Sequence, residues 1–186
     1  MTATLPAQFR ELIEALRSRS KDNHDRAFEG LSKATDQPVA WAYEVWDDLL
    51  LTLREGDNRQ RSIAAQILSN LAKSDPKQRM SKDLTALMRV SKDEHFVTAR
   101  HCLQSLWKVG IAGEPQRKAL LKGLVLRFEE CASEKNCTLI RYDILVVLRR
   151  VYDLVSDQSI RVAAERLIAM EQDPKYRKKY STVWRK

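Results

Sequence analysis

Glycine and proline are scarce, with five of each in 186 residues. A sandwich or barrel built from many short strands needs more turn residues than that. Long apolar runs are also missing. The longest unbroken aliphatic stretch is Ile144 to Leu148, whereas a helix that spans a bilayer needs about 20 apolar residues. Met1 to Phe9 has neither the basic region nor the apolar region of a secretory signal, so export by that route is not expected. No two glycines come closer than Gly110 and Gly113, and no Gly-Lys-Ser or Gly-Lys-Thr occurs, which excludes a phosphate-binding loop.

Groups that carry chemistry are thinly spread. Cysteine is limited to Cys102, Cys131 and Cys137, an odd set without CxxC spacing. Buried thiols in a reducing cytoplasm are the expectation. His95 and His101 lie on different faces of one helix and make a poor metal pair. The acidic pairs Asp47-Asp48 and Glu129-Glu130 are adjacent in sequence. Neighbours on a helix point about 100° apart, so such pairs form solvated faces rather than a catalytic dyad. No catalytic residue, metal or other cofactor is expected.

What the chain does have is apolar material and charge. It is 44% apolar and 31% charged, enough to bury one ordinary core. The net charge is +8 and unevenly placed. Residues 1–57 hold 7 basic and 11 acidic groups, net −4, while residues 58–186 hold 26 and 14, net +12. An anionic partner or plain solubility would each account for the basic part.

The prolines, Pro6, Pro38, Pro76, Pro115 and Pro174, open with gaps of 32, 38 and 39 residues. Such spacing predicts repeats of about 40 residues, each proline starting a helix. Two helical stripes fill each segment. Trp41, Val45, Trp46, Leu49, Leu50 and Leu53 recur at the period of one helix face, and Ile63, Ala64, Ile67, Leu68 and Leu71 form the next. Gly56 between them is predicted to be a left-handed C-cap, with Asp57 as N-cap. Met80 to Val90 and Phe96 to Trp107 form another pair, ended by Gly110 and Gly113. Phe9 to Leu16 and Ala27 to Leu31 form the first. Residues 116–131, 138–155 and the stretch after Asp157 give further helices, and no stretch alternates as a strand does.

The second helices share a pattern: Asp22-Asn-His-Asp-Arg26, Asp57-Asn-Arg-Gln-Arg61 and Asp157-Gln-Ser-Ile-Arg161-Val-Ala-Ala, with weaker copies at Arg100 and Arg141. Over roughly residues 20–172 this resembles the HEAT repeat, whose second helix commonly begins with Asp and continues to Val-Arg and small aliphatic residues. The resemblance implies an all-α, right-handed α-solenoid of about four stacked antiparallel helix pairs over 1–173, its second helices lining a concave surface. Arg141 and Arg161 are only half a repeat apart. The helix at 138–155 is therefore expected to open the last pair or to form an irregular layer, and the one at 116–132 is odd.

Two readings stand for the repeated arginines. Each pairs with an Asp cap of the neighbouring repeat, or Arg61, Arg100, Arg141 and Arg161 face the groove and bind an anion. Arg59, Gln66 and Lys73 on one second helix, and His101, Gln104 and Lys108 on the next, would form the groove floor. Trp41, Trp46 and Trp107 are spaced as core. Residues 174–186 combine six cations, among them Lys178 and Lys179, with Tyr176, Tyr180 and Trp184. They are read as a helical cap on the array, a stacking and phosphate-binding segment, or a disordered tail. The first functional expectation is a non-catalytic module that holds a protein or peptide in the groove. The alternative is nucleic-acid binding, in line with a resemblance to HEAT-like DNA glycosylases for alkylated bases, which use tryptophans and an Asp in a basic groove. The chain is similar to them only in being basic and all-helical; it is short for that family, and the third that contains Trp46-Asp47 is net acidic.

Overall fold

A computed structural model describes residues 4–185. The outermost residues of the two expected segments, 1–3 and 186, lie outside the described residues. Among those described the chain is all-helical, with eleven α-helices and no strand. They are α1 (Ala7–Arg17), α2 (Lys21–Ala34), α3 (Ala42–Glu55), α4 (Asn58–Leu71), α5 (Met80–Val90), α6 (Phe96–Ser105), α7 (Trp107–Ala112), α8 (Glu114–Glu130), α9 (Cys137–Val155), α10 (Gln158–Met170) and α11 (Pro174–Trp184). None of these helices is long and apolar enough to cross a membrane.

Local chemistry sets the helix ends. Asp57 caps α4 in a capping box: its carboxylate accepts from the Gln60 amide at 2.8 Å, and the Gln60 side chain accepts from the Asp57 amide at 2.8 Å. Asp157 caps α10 and Asp173 caps α11 in the same spirit. On α2 the cap is Ser20, not Asp22. Gly56 closes α3 with φ −70°, so it is not left-handed. Its requirement is space: a Cβ there would meet the Thr52 carbonyl at 2.7 Å and Gln60 Cβ at 2.9 Å. Gly110 does not end a helix but lies inside α7, where a Cβ would meet Val151 at 2.7 Å. Pro6, Pro115 and Pro174 sit at helix starts as expected, whereas Pro38 and Pro76 lie in the connections before α3 and α5.

The helix contacts run in two series. α1 packs on α3, α3 on α5 and α5 on α8, while α2 packs on α4, α4 on α6 and α6 on α9. α8 thus continues the first series and α9 the second, and α9 also packs on α10. The half-repeat step from Arg141 to Arg161 arises because Arg161 lies on α10, outside the series that carries the other arginines. α10 and α11 pack on α9 and on each other.

A single apolar cluster runs from Leu5 to Tyr180 and includes Trp46, Leu49, Ile67, Leu71, Leu106, Phe128, Ile144 and Leu148. Two stripes cannot hide themselves, and the helices bury their stripes both on the adjacent helix of the other series, as α1 on α2 and α3 on α4, and along their own series. The basic C-terminal stretch joins this core. Tyr180 is fully buried and donates to the Thr138 carbonyl at 2.9 Å, and Trp184 packs on Tyr152 with ring centroids 5.6 Å apart.

Candidate functional site

The arginines of the α2, α4, α6 and α9 series, Arg26, Arg61, Arg100 and Arg141, recur at intervals of 35, 39 and 41 residues. The last three are bound to carboxylates farther along the chain. Arg61 donates to both oxygens of Asp93, at 2.6 and 3.0 Å, and to the Gly56 carbonyl at 2.8 Å. Asp93 in turn accepts from the His95 amide, one residue before α6 begins. Burial alone would raise the Asp93 carboxyl, but these donors hold it below its ordinary value. Arg100 grips both oxygens of Asp143 on α9, at 2.7 and 2.9 Å, and Asp143 is buried. Arg141 donates to Glu171 at 2.9 Å and to the Phe128 carbonyl at 3.2 Å. Fork-to-carboxylate geometry of this kind fixes one helix against another.

The other expected site residues fall into two groups. Arg59 is paired with Asp25. Arg161 is exposed and paired with Glu165 one turn on, at 2.9 Å. Lys178 is exposed on α11, and Trp184 lies against Tyr152 with Arg149 over its ring. None of these four lines the cavities described next. Gln66, His101, Gln104 and Lys108, by contrast, come together on the face built by α4, α6, α7 and α9.

That face holds three adjoining cavities of about 600, 250 and 370 Å³. All three are lined by Trp107 and Arg150. The Arg150 guanidinium lies 3.6 Å from the centroid of the Trp107 ring. Lys108 Nζ stands 5.8 Å from the same ring and bonds to the Asn70 side-chain oxygen. Lys73 borders the largest cavity and donates to the Asp36 backbone carbonyl at 2.7 Å. His101 Nδ1 lies 3.0 Å from Ser62 Oγ, and Gln104 donates to Asp143 at 3.3 Å. Lys179 of α11 sits over the Tyr142 ring at 4.8 Å, and Tyr142 borders the third cavity.

Charge separates this cluster from the arginine ladder. No ion pair among the described residues involves Lys73, Lys108 or Arg150. Lys108 is pushed below the ordinary lysine range, first by burial and then by Lys73 and Arg150, with Asp36 opposing. A like-charged group of this sort costs stability unless an anion joins it.

Three participants escaped the sequence reading. Trp107 was expected in the core but is only half-buried, and Arg150 and Tyr142 went unremarked. The signal was present for Trp107: it follows Arg100 and Gln104 on one helical stripe, and those two are polar. Trp46 and Asp47 make no site. Trp46 is fully buried and donates to Asp83 at 2.9 Å, while Asp47 holds Arg79.

Compared with known proteins, the chain matches no family model, and no curated protein matches it at a significant level.

Proposed function

We propose that this chain is a non-catalytic interaction module, a HEAT-like α-solenoid that holds an acidic segment of another protein on its concave face. The observation that carries the reading is the convergence of Lys73, Lys108 and Arg150 on Trp107 without an ion-paired carboxylate among the described residues. The solenoid reading is supported by the two helix series and by the arginine spacing of 35, 39 and 41 residues. In it, α2, α4, α6 and α9 are the second helices and line the concave side. The non-catalytic reading is supported by the state of two of the three thiols. Burial pushes the Cys131 thiol up to about 12 and the Cys102 thiol higher still, the opposite of activation. We place the protein in the cytoplasm, whose reducing conditions suit three thiols.

A second reading, single-stranded nucleic acid, is favoured by one feature, the interleaving of Trp107 and Tyr142 with Arg150 and Lys179. It does not bring base-excision chemistry with it, because Trp46 is buried and Asp47 is engaged. Fluorescence anisotropy separates the two. A labelled glutamate-rich peptide and an oligothymidylate are titrated at low and at raised salt. The first reading expects the peptide to bind more tightly and to weaken with salt. Tighter binding of the oligothymidylate would favour the second, and silence from both at low salt would remove each.

A further inference from the structure

We infer that the cluster of Lys73, Lys108 and Arg150 around Trp107 takes a phosphate monoester, presented by a phosphorylated side chain of the partner segment. The inference rests on the proposed reading of this face as a docking surface, and it names the group docked. Three points carry it.

The first is charge balance. Three cations border the largest cavity, and Asp36 is the one carboxylate that borders it with them. Their sum is +2, counting each formal charge once. A phosphorylated side chain carries about −1.5 to −2 at neutral pH, whereas a single Asp or Glu supplies half of that. The second is donor supply. Lys73 and Lys108 each spend one bond on an oxygen of the protein, the Asp36 carbonyl and the Asn70 side chain, and an ammonium has three protons to give. Arg150 lies over the indole at 3.6 Å, and its fork of five N–H donors can still serve an acceptor. Three phosphoryl oxygens suit such donors.

The third is layout. A nucleic-acid backbone carries one charge per phosphate and is best met by cations strung along a track. Here Lys73, Lys108 and Arg150 all border one and the same cavity. That favours one dianion over a polyanion. The cavity is also large for an ion alone, at about 600 Å³, and its walls include Ile111, Ala112 and Trp107, so residues flanking the phosphate have apolar surface to rest on.

The test uses the full chain, labelled with ¹⁵N, and reads the indole Nε1–H of Trp107 and the Nε–H of Arg150. The probes are inorganic phosphate, a twelve-residue acidic peptide with one phosphoserine, its serine and glutamate counterparts, and a twelve-nucleotide single strand. The expected result is that the phosphopeptide binds at least tenfold more tightly than either counterpart and that inorganic phosphate shifts both signals and competes. Arg150→Met and Lys108→Met should each remove most of the tenfold preference. Arg150 is exposed, so its variant keeps the fold, and its amide spectrum is the check. Equal binding of all three peptides would overturn the phosphate inference while leaving the docking reading intact. Failure of every peptide, with inorganic phosphate still shifting Trp107, would sustain the anion site and remove the docking reading. Tighter binding of the single strand than of the phosphopeptide would overturn the inference in favour of nucleic acid.

Discussion

Arginine and lysine serve two regions of this molecule in opposite ways. Along α4, α6 and α9, Arg61, Arg100 and Arg141 each reach a carboxylate about 30 to 43 residues ahead, and the acceptors Asp93, Asp143 and Glu171 are themselves shielded from water, their side chains 5%, 4% and 8% exposed. Around Trp107, on the same face, Lys73, Lys108 and Arg150 form no ion pair among the described residues, and Asp36 borders their cavity as a single carboxylate against three cations. The first arrangement converts charge into helix registry. The second leaves an excess of positive charge beside a cavity. Position in a helix series does not separate the two uses. What separates them is whether a helix or connection farther along the chain places an acid within ion-pairing reach.

The ladder should break hardest. Arg100→Met strands the buried Asp143 carboxylate and should cost about 3 kcal/mol in urea unfolding. The double change Arg100→Met with Asp143→Leu should recover most of that, because an apolar pair of similar size carries no desolvation penalty. Arg61→Gln should cost about 2 kcal/mol. It also bears on pH. The folded Asp93 carboxyl is held low, so its contribution is present above its unfolded pKa and fades as pH falls through the folded value. Wild type should therefore lose this increment only below about pH 4, the ordinary carboxylate range, and the variant should lack it at neutral pH already.

Gly110→Ala tests the join between the two regions. The new methyl would press on Val151 at 2.7 Å and move α7 against α9, the helices that bring Trp107 to Arg150. A cost of about 1–2 kcal/mol is expected, together with a shift of the Trp107 indole resonance. Smallest of all should be Arg150→Met. It removes one exposed cation and its stacking, and stability should fall by less than about 1 kcal/mol.

Much of the fold was legible because helix periodicity is a local property. The stripe from Trp41 to Leu53 predicted α3 at Ala42–Glu55, and the stripe from Leu139 to Leu154 predicted α9 at Cys137–Val155. Misreadings arose where neighbours in space decide. Gly56 and Gly110 are needed for close approach, a reason that no sequence window displays. Arg161 has the best local match to the HEAT pattern, yet lies on α10 and bonds within its own helix, whereas the poorer copies at Arg100 and Arg141 tie helices together. Part of the cavity lining, Gln66, Lys73, Arg100, His101, Gln104 and Lys108, could be named from the sequence because these residues fall on the polar side of the expected second helices. Arg150 could not be, because its role depends on α7 lying beside α9.

The contrast between ladder and cluster is tested most directly by urea unfolding of wild type, Arg100→Met and Arg150→Met, each with and without inorganic phosphate at about ten times its dissociation constant for wild type. Wild type should gain about 1.4 kcal/mol from the phosphate, Arg100→Met should be weakened yet keep that gain, and Arg150→Met should keep its stability and lose the gain. Matching losses of stability in the two variants, or a phosphate gain undiminished in Arg150→Met, would contradict the division of charge described for this molecule.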